Sequence, residues 1–291
     1  MFPGNGNLKI AVQKKGRLTE RSMALLKTCG LGIENYTDRL YISANNFPAD
    51  ILFLRDDDIP EYVQDGVADL GIVGENVIAE KSYNTELKEK LGFGSCRIMI
   101  AYPESSDFSD VTQLEGKRIA TTYPNILGRY LDQNGVKAKV IEISGSVEIA
   151  PALGIADAIC DIVSTGNTLK LNKLKKSFTV FESEAALIAS PKLKDNNIKT
   201  ALVADLLVRI RSVLSASSSK YLMMNVPKAS LEAVIKMIPA SKSPTILPLF
   251  DESTVAVHAV VPAGYIWSVL QPLRSAGASG ILVLPIENMI P

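Results

Sequence analysis

Gly154-Ile155-Ala156-Asp157 leads into Ala158-Ile159-Cys160-Asp161-Ile162-Val163 and on to Gly166, and Gly66-Val67-Ala68-Asp69 leads in the same way into Leu70-Gly71-Ile72-Val73-Gly74. Each time a helical segment ends at a glycine, and an apolar run of strand length follows and runs into a second glycine. Near-continuous apolar runs suit strands buried in a sheet that helices cover on both faces. The pair predicts two similar α/β lobes facing a cleft, and ligands of such sheets gather beyond the carboxyl ends of the strands.

The flanking sequence extends the pattern. Leu8 to Gln13 reads as a strand, Gly16 as a turn, and Thr19 as the cap of an amphipathic helix ending near Cys29-Gly30. Asp50 to Leu54 reads as a second strand, and the acids Asp56, Asp57 and Asp58 suit the start of a helix from Ile59 to Gln64. Strands at about Arg97 to Tyr102, Lys117 to Thr121 and Lys139 to Ile143 alternate with helices at about Asn125 to Asn134 and Ser146 to Leu153. That order predicts a largely parallel sheet. A long helix from about Asn197 to Leu214 ends in Ser215-Ala216-Ser217-Ser218-Ser219, the best boundary candidate. The tail then reads strand, helix, strand, strand, helix, strand from Tyr221 to Leu284, the βαββαβ order of ferredoxin-like modules.

Composition excludes several kinds of chemistry. The 291 residues carry 31 basic and 31 acidic side chains, so no basic excess supports sequence-independent nucleic-acid binding. With one histidine, His258, no multi-histidine metal centre can form, and His258 reads as structural. Cys29, Cys96 and Cys160 are widely spaced without a CxxC pair and read as buried free thiols. No secretory signal and no apolar run of membrane-spanning length is visible, which predicts a cytoplasmic protein with no membrane contact.

The chemistry concentrates in Asp161-Ile162-Val163-Ser164-Thr165-Gly166-Asn167-Thr168-Leu169. A strand delivers an acid, and hydroxyl side chains with a glycine follow where a helix should begin. Unpaired N–H groups at a helix start hold a phosphate without basic side chains, and Gly166 lets the main chain come close. Ser164, Thr165 and Thr168 add hydroxyl donors; the same residues also serve as plain helix caps.

The spacing from Glu148 through Gly154, Ala156, Ile159, Asp161, Ile162, Thr165, Gly166 and Thr168 to Leu169 resembles the signature of the ATP phosphoribosyltransferase family. Leu8 to Arg17, Arg55 to Pro60 and Asp69 to Asn76 are similar to three more family blocks, and Ser243 to Leu249 and Ile281 to Glu287 to the regulatory domain of its long form. Lys15, Asn167, Lys170 and Lys173 depart from the usual residues around these blocks.

The resemblance implies an α/β fold: a two-lobed, periplasmic-binding-protein-like catalytic region with a C-terminal ferredoxin-like domain. Residues 1–95 and 180–215 would form one lobe, 96–179 the lobe with the phosphate loop, and 216–291 the regulatory domain. It implies a pentosyltransferase that moves phosphoribosyl from phosphoribosyl pyrophosphate to N1 of the adenine of ATP, with magnesium, as the first step of histidine biosynthesis. Free histidine would inhibit it, and the family forms homohexamers.

By the same resemblance Ser164, Thr165, Gly166, Asn167 and Thr168 grip the 5′-phosphate while Asp161 receives the ribose hydroxyls. Glu148 is a candidate for the same neighbourhood, or a carboxylate complementing a helix start. Arg17 and Arg55, with Lys14 and Lys15 less directly, would meet the triphosphate or pyrophosphate. Glu75 would face ATP or only begin a helix. Ser243 and Thr245 would lie near histidine, or simply flank Pro244 in a turn. Magnesium ligands are left open, and Asp56, Asp57 and Asp58 read as a solvated helix start.

Overall fold

The computed structural model describes residues 6–36, 38–106, 108, 110–163 and 167–290, with Asn167 as backbone only. The chain divides into two compact units, residues 1–24 with 31–202, and 25–30 with 203–291.

The first unit opens with β1 (Leu8–Gln13), α1 (Arg17–Thr28), β2 (Tyr41–Ser43), β3 (Ala49–Leu54), α2 (Ile59–Gln64), β4 (Leu70–Gly74), α3 (Glu75–Lys81) and β5 (Glu86–Lys90). It continues with β6 (Cys96–Pro103), β7 (Arg118–Thr121), α4 (Pro124–Gln133), β8 (Lys139–Glu142), β9 (Ala158–Val163), α5 (Asn167–Leu171), β10 (Leu174–Ser183) and β11 (Ala185–Ala189). Helix α6 (Asn197–Ser217) passes into the second unit, which adds β12 (Ser219–Pro227), α7 (Leu231–Met237), β13 (Thr245–Pro248), β14 (Thr254–Pro262), α8 (Ile266–Ser275) and β15 (Ser279–Pro285).

Two sheets form the first unit, in the orders β2-β3-β1-β4-β11-β5 and β10-β6-β9-β7-β8. The chain crosses between them twice, from β5 to β6 and from β10 to β11. The crossing segments bond to each other through Leu91 N–H to the Ala185 carbonyl (2.9 Å) and Ala185 N–H to that of Phe93 (2.8 Å). This is the two-lobed α/β architecture expected, but the sheets are mixed rather than largely parallel. β3, β1 and β4 run parallel, as do β8, β7 and β9, whereas β2, β6 and β11 pair antiparallel to their neighbours. β6 and β11 are the strands that follow the two crossings, whereas β2 is the edge strand that precedes β3 in the same sheet.

The repeated glycine-to-aspartate segment is one local structure built twice. Gly66 and Gly154 both take positive φ, +73° and +69°, which glycine adopts without the Cβ penalty. The Asp69 carboxylate accepts the Lys9 N–H, and that of Asp157 the Arg118 N–H, each at 2.8 Å. In return Asp69 N–H donates to the Lys9 carbonyl (2.9 Å) and Asp157 N–H to the Arg118 carbonyl (2.8 Å). Each aspartate thereby ties its strand to the parallel neighbour at the amino end, and the apolar run that follows fills the sheet. Ile72, Ile159 and Cys160 are essentially inaccessible to solvent.

Two local expectations fail. Thr19 lies inside α1, which begins at Arg17, so it caps nothing. Residues 146–153 hold only a 3-10 turn, Val147–Ile149, because Ser146 is left-handed (φ 50°) and Pro151 has no N–H to continue an α-helical ladder. At the serine cluster α6 runs through Ser217 and β12 starts at Ser219, so helix and strand follow one another directly.

The tail forms a four-stranded antiparallel sheet, β13-β14-β12-β15, with α7 and α8 packed on Leu222, Met224, Val257 and Val261. Its βαββαβ order is the expected one. Among the described residues no helix is long and apolar enough to cross a membrane.

Candidate active site

The carboxyl ends of β3, β1 and β4 share one edge of the first sheet. Arg55 follows β3, Lys14, Lys15 and Arg17 follow β1, and Glu75 follows β4, so the fold collects residues that are far apart in sequence. Lys14 N–H bonds the Leu54 carbonyl at 2.7 Å, which holds the two βα turns together. Arg17 and Arg55 are both exposed. Asp56 to Asp58 form a single 3-10 turn before α2. Asp56 is pushed up to about 6 by burial and by its neighbour Asp57, and its Oδ1 has no partner. Among the described residues no group of three or more acids, cysteines or histidines stands ready for a metal.

Glu75 does begin α3, yet it also lines a cavity of ≈ 510 Å³ at the crossing segments, with Lys90, Cys96, Arg97 and Ser183. Its carboxylate pairs with Lys90 (2.9 Å) and accepts the Glu184 N–H (3.3 Å). Cys96 is only half-buried; burial raises its thiol, opposed by a hydrogen bond with Ser183 and by the Arg17 charge. Cys29 and Cys160 are buried free thiols, as expected.

In the second sheet Asp161 stands near the carboxyl end of β9, half-buried. Burial raises its pKa, and the Glu148 charge adds to the rise. The Ile162 N–H, 2.8 Å from Oδ1, and the Thr122 side chain oppose it. Glu148 thus lies within electrostatic reach of Asp161, although it sits on the 3-10 turn and not at the start of an α-helix. Ser164, Thr165 and Gly166 lie outside the described residues. Asn167 opens α5, and Thr168 is exposed with its carbonyl bonded by the Asn172 side chain (2.9 Å). With five residues, α5 supplies individual N–H groups rather than a long summed dipole.

Sequence reasoning missed the neighbours of Asp161 on β7. Tyr123 follows that strand, and its phenol is pushed up to about 12, first by burial and then by Asp161. Asn76 Nδ2 lies 3.5 Å from the phenol oxygen, and Asn76 is itself fixed by Ser183, whose Oγ donates to Oδ1 at 2.9 Å and accepts the Asn76 N–H at 3.1 Å. The usable signal was Thr121-Thr122-Tyr123, polar residues at the end of a buried strand. What the arrangement offers is the half-buried acids Asp161 and Glu148 by the second sheet, with cations and an acid on the edge of the first.

In the tail, Ser243 and Thr245 are exposed, and Thr245 pairs with His258 across β13 and β14. His258 Nδ1 lies 2.8 Å from the Tyr221 hydroxyl, which fits a structural histidine.

Residues 55–212 match the model of a family described as ATP phosphoribosyltransferase, and residues 216–288 the model described as HisG, C-terminal domain. Proteins named ATP phosphoribosyltransferase are 49% identical in Cytophaga hutchinsonii and 47% identical in Bacteroides thetaiotaomicron. Both alignments cover 97% of this chain, with 98% and 99% of the relative. The solved ATP phosphoribosyl transferase (HisG:HisZ) complex from Thermotoga maritima includes a chain 30% identical to this one with a TM-score of 0.58. That match covers 70% of this chain and 98% of the other.

Proposed function

The chain belongs to the ATP phosphoribosyltransferase family in its long form, pentosyltransferases of histidine biosynthesis; on that footing we propose that it transfers phosphoribosyl from phosphoribosyl pyrophosphate to N1 of the adenine of ATP. The observation that carries this reading is Asp161, half-buried at the end of β9, with its carboxylate raised by burial and by the Glu148 charge.

Adenine N1 brings its own lone pair, and the anomeric carbon expels pyrophosphate through a cationic, oxocarbenium-like state, so a strong general base is unnecessary. Catalysis then rests on placement and charge. Asp161 accepts hydrogen bonds from the ribose hydroxyls, each worth about 1.5–3 kcal/mol to a charged partner. The loop of Ser164, Thr165, Gly166, Asn167 and Thr168 takes the 5′-phosphate through main-chain amides and hydroxyls. Arg17 and Arg55 meet the triphosphate or the departing pyrophosphate, and Glu75, neutralised by Lys90, borders the ATP side.

Asp161 and Glu148, two acids whose charges act on each other, would hold a magnesium ion bound mainly through substrate phosphates and water, the usual way this ion binds. Such an ion supplies charge neutralisation of the pyrophosphate.

Residues 1–95 with 180–215, and 96–179, act as the two catalytic lobes in this reading, and 216–291 as the regulatory domain. Free histidine binds that domain near Ser243 and Thr245 and inhibits by favouring a less active arrangement. We place the enzyme in the cytoplasm as a homohexamer. Mixing the full chain with ATP, phosphoribosyl pyrophosphate and magnesium should release pyrophosphate. Folded protein that releases none would refute the assignment.

A further inference from the structure

Helix α4 starts without a cap of its own. Tyr123 stands at the N-cap and makes no side-chain cap bond, and Pro124 has no N–H. The Leu127 N–H is taken by the Tyr123 carbonyl (3.0 Å). That leaves the N–H groups of Asn125 and Ile126, the pair a Ser, Thr, Asp or Asn at the N-cap would ordinarily serve.

Both are taken by one carboxylate from the other sheet's helix α3. Glu80 accepts the Asn125 N–H at Oε1 (2.8 Å) and the Ile126 N–H at Oε2 (2.9 Å). Asn125 Nδ2 adds a bond to the Glu80 carbonyl (3.0 Å), and Arg129 Nη2 one to the Ala79 carbonyl (2.6 Å). The glutamate is only 8% exposed, so water is a poor substitute for it.

The capped helix bears directly on Asp161. Thr121 Oγ1 donates to the carbonyl of Cys160 (2.6 Å), the residue before Asp161, and accepts the Tyr123 N–H (2.9 Å). The Thr122 side chain acts against the rise in the Asp161 pKa. The Thr121-Thr122-Tyr123 junction is therefore held from two sides, by β9 and by the start of α4.

We propose that Glu80 is a positioning residue: by capping α4 from across the two sheets it fixes the Thr121-Thr122-Tyr123 junction, which Thr121 bonds to β9 next to Asp161, and it does so without touching substrate. This rests on the reading of Asp161 given above. A local cap at position 123 would make α4 independent of α3. Tyrosine there ties the start of α4, and the acid beside it, to one arrangement of the two sheets.

Steady-state kinetics of the full chain test this, with Glu80→Ala and Glu80→Gln made alone and combined with Asp161→Asn, alongside amide exchange at Asn125 and Ile126. Glu80→Ala should lower kcat/KM for phosphoribosyl pyrophosphate about 10-fold and speed both exchanges. Glu80→Gln keeps one acceptor oxygen and should recover part of the loss. In the Asp161→Asn background Glu80→Ala should change kcat/KM by less than about 2-fold, because the group it positions is already gone.

Losses that multiply in the double variant, or wild-type kcat/KM in both Glu80 variants, overturn the proposal. If Glu80→Ala fails to fold, Glu80→Gln decides by the same comparisons. A kinetically silent Asp161→Asn sinks the ribose reading of Asp161 and the positioning role with it, while faster exchange in Glu80→Gln would still establish the cap between the sheets.

Discussion

The Glu148 charge adds to burial in raising the Asp161 carboxyl, although 12 residues of chain separate the two acids. Of the two acids only Asp161 sits on a sheet strand, where its Oδ1 accepts the Ile162 N–H. Their contributions should therefore be unequal. Asp161→Asn is expected to lower kcat/KM for phosphoribosyl pyrophosphate by about 10- to 100-fold, one or two charge-assisted hydrogen bonds. Glu148→Gln should lower it by less, with little change in melting temperature for either. Equal losses would contradict the assignment of Asp161 as the principal ribose acceptor.

The cations at the edge of the first sheet are exposed and carry little of the fold. Arg17→Ala and Arg55→Ala should each leave stability within about 0.5 kcal/mol, as surface changes do. Each should cost about 10-fold or more in kcat/KM for ATP, with a loss that grows smaller as salt is added. Unchanged ATP kinetics in both would move the phosphates elsewhere.

Asp69 and Asp157 do the same job in the two sheets in different surroundings. Asp69 is 8% exposed and holds Lys199 Nζ at 2.7 Å, whereas Asp157 pairs with Arg118 (2.8 Å) where both side chains remain partly in water. Breaking a buried pair costs roughly 3–5 kcal/mol and an exposed one about 1 or less. Asp69→Asn should therefore destabilise far more than Asp157→Asn in chemical denaturation, and comparable losses would show that burial is not what separates them.

Asp56 carries a pH signature. Its folded pKa, about 6, lies above the unfolded value of 3.8, so the folded chain binds more protons between these values. Stability from this group is present below about pH 4, falls as pH rises to about 6, and stays lost above. Asp56→Asn removes that loss, raising stability at pH 8 by up to roughly 3 kcal/mol relative to its effect at pH 4. An equal effect at both pH values would refute the shifted titration.

Much of this was readable in the residues. Apolar runs between glycines marked β4 and β9, and an acid inside such a run singled out Asp161, because a carboxylate there needs partners or a ligand. The βαββαβ tail was legible for the same reason: strand and helix periods differ. Strand direction was not legible. β6 and β11 have the side-chain pattern of parallel strands, and only the crossings between sheets reverse them. Thr19 misled because a threonine before an apolar run resembles a cap, while Arg17 already starts the helix. Glu80 was invisible for another reason: its partners, Asn125 and Ile126, lie 45 and 46 residues away, and no local pattern announces a cap supplied by a different helix.

The most direct measurement is a crystal structure of the full chain with phosphoribosyl pyrophosphate and magnesium. The account predicts the ribose hydroxyls within hydrogen-bond distance of Asp161 and the 5′-phosphate on the main chain of residues 164–168. A sugar phosphate bound away from the end of β9, with Asp161 contacting only protein, would contradict it.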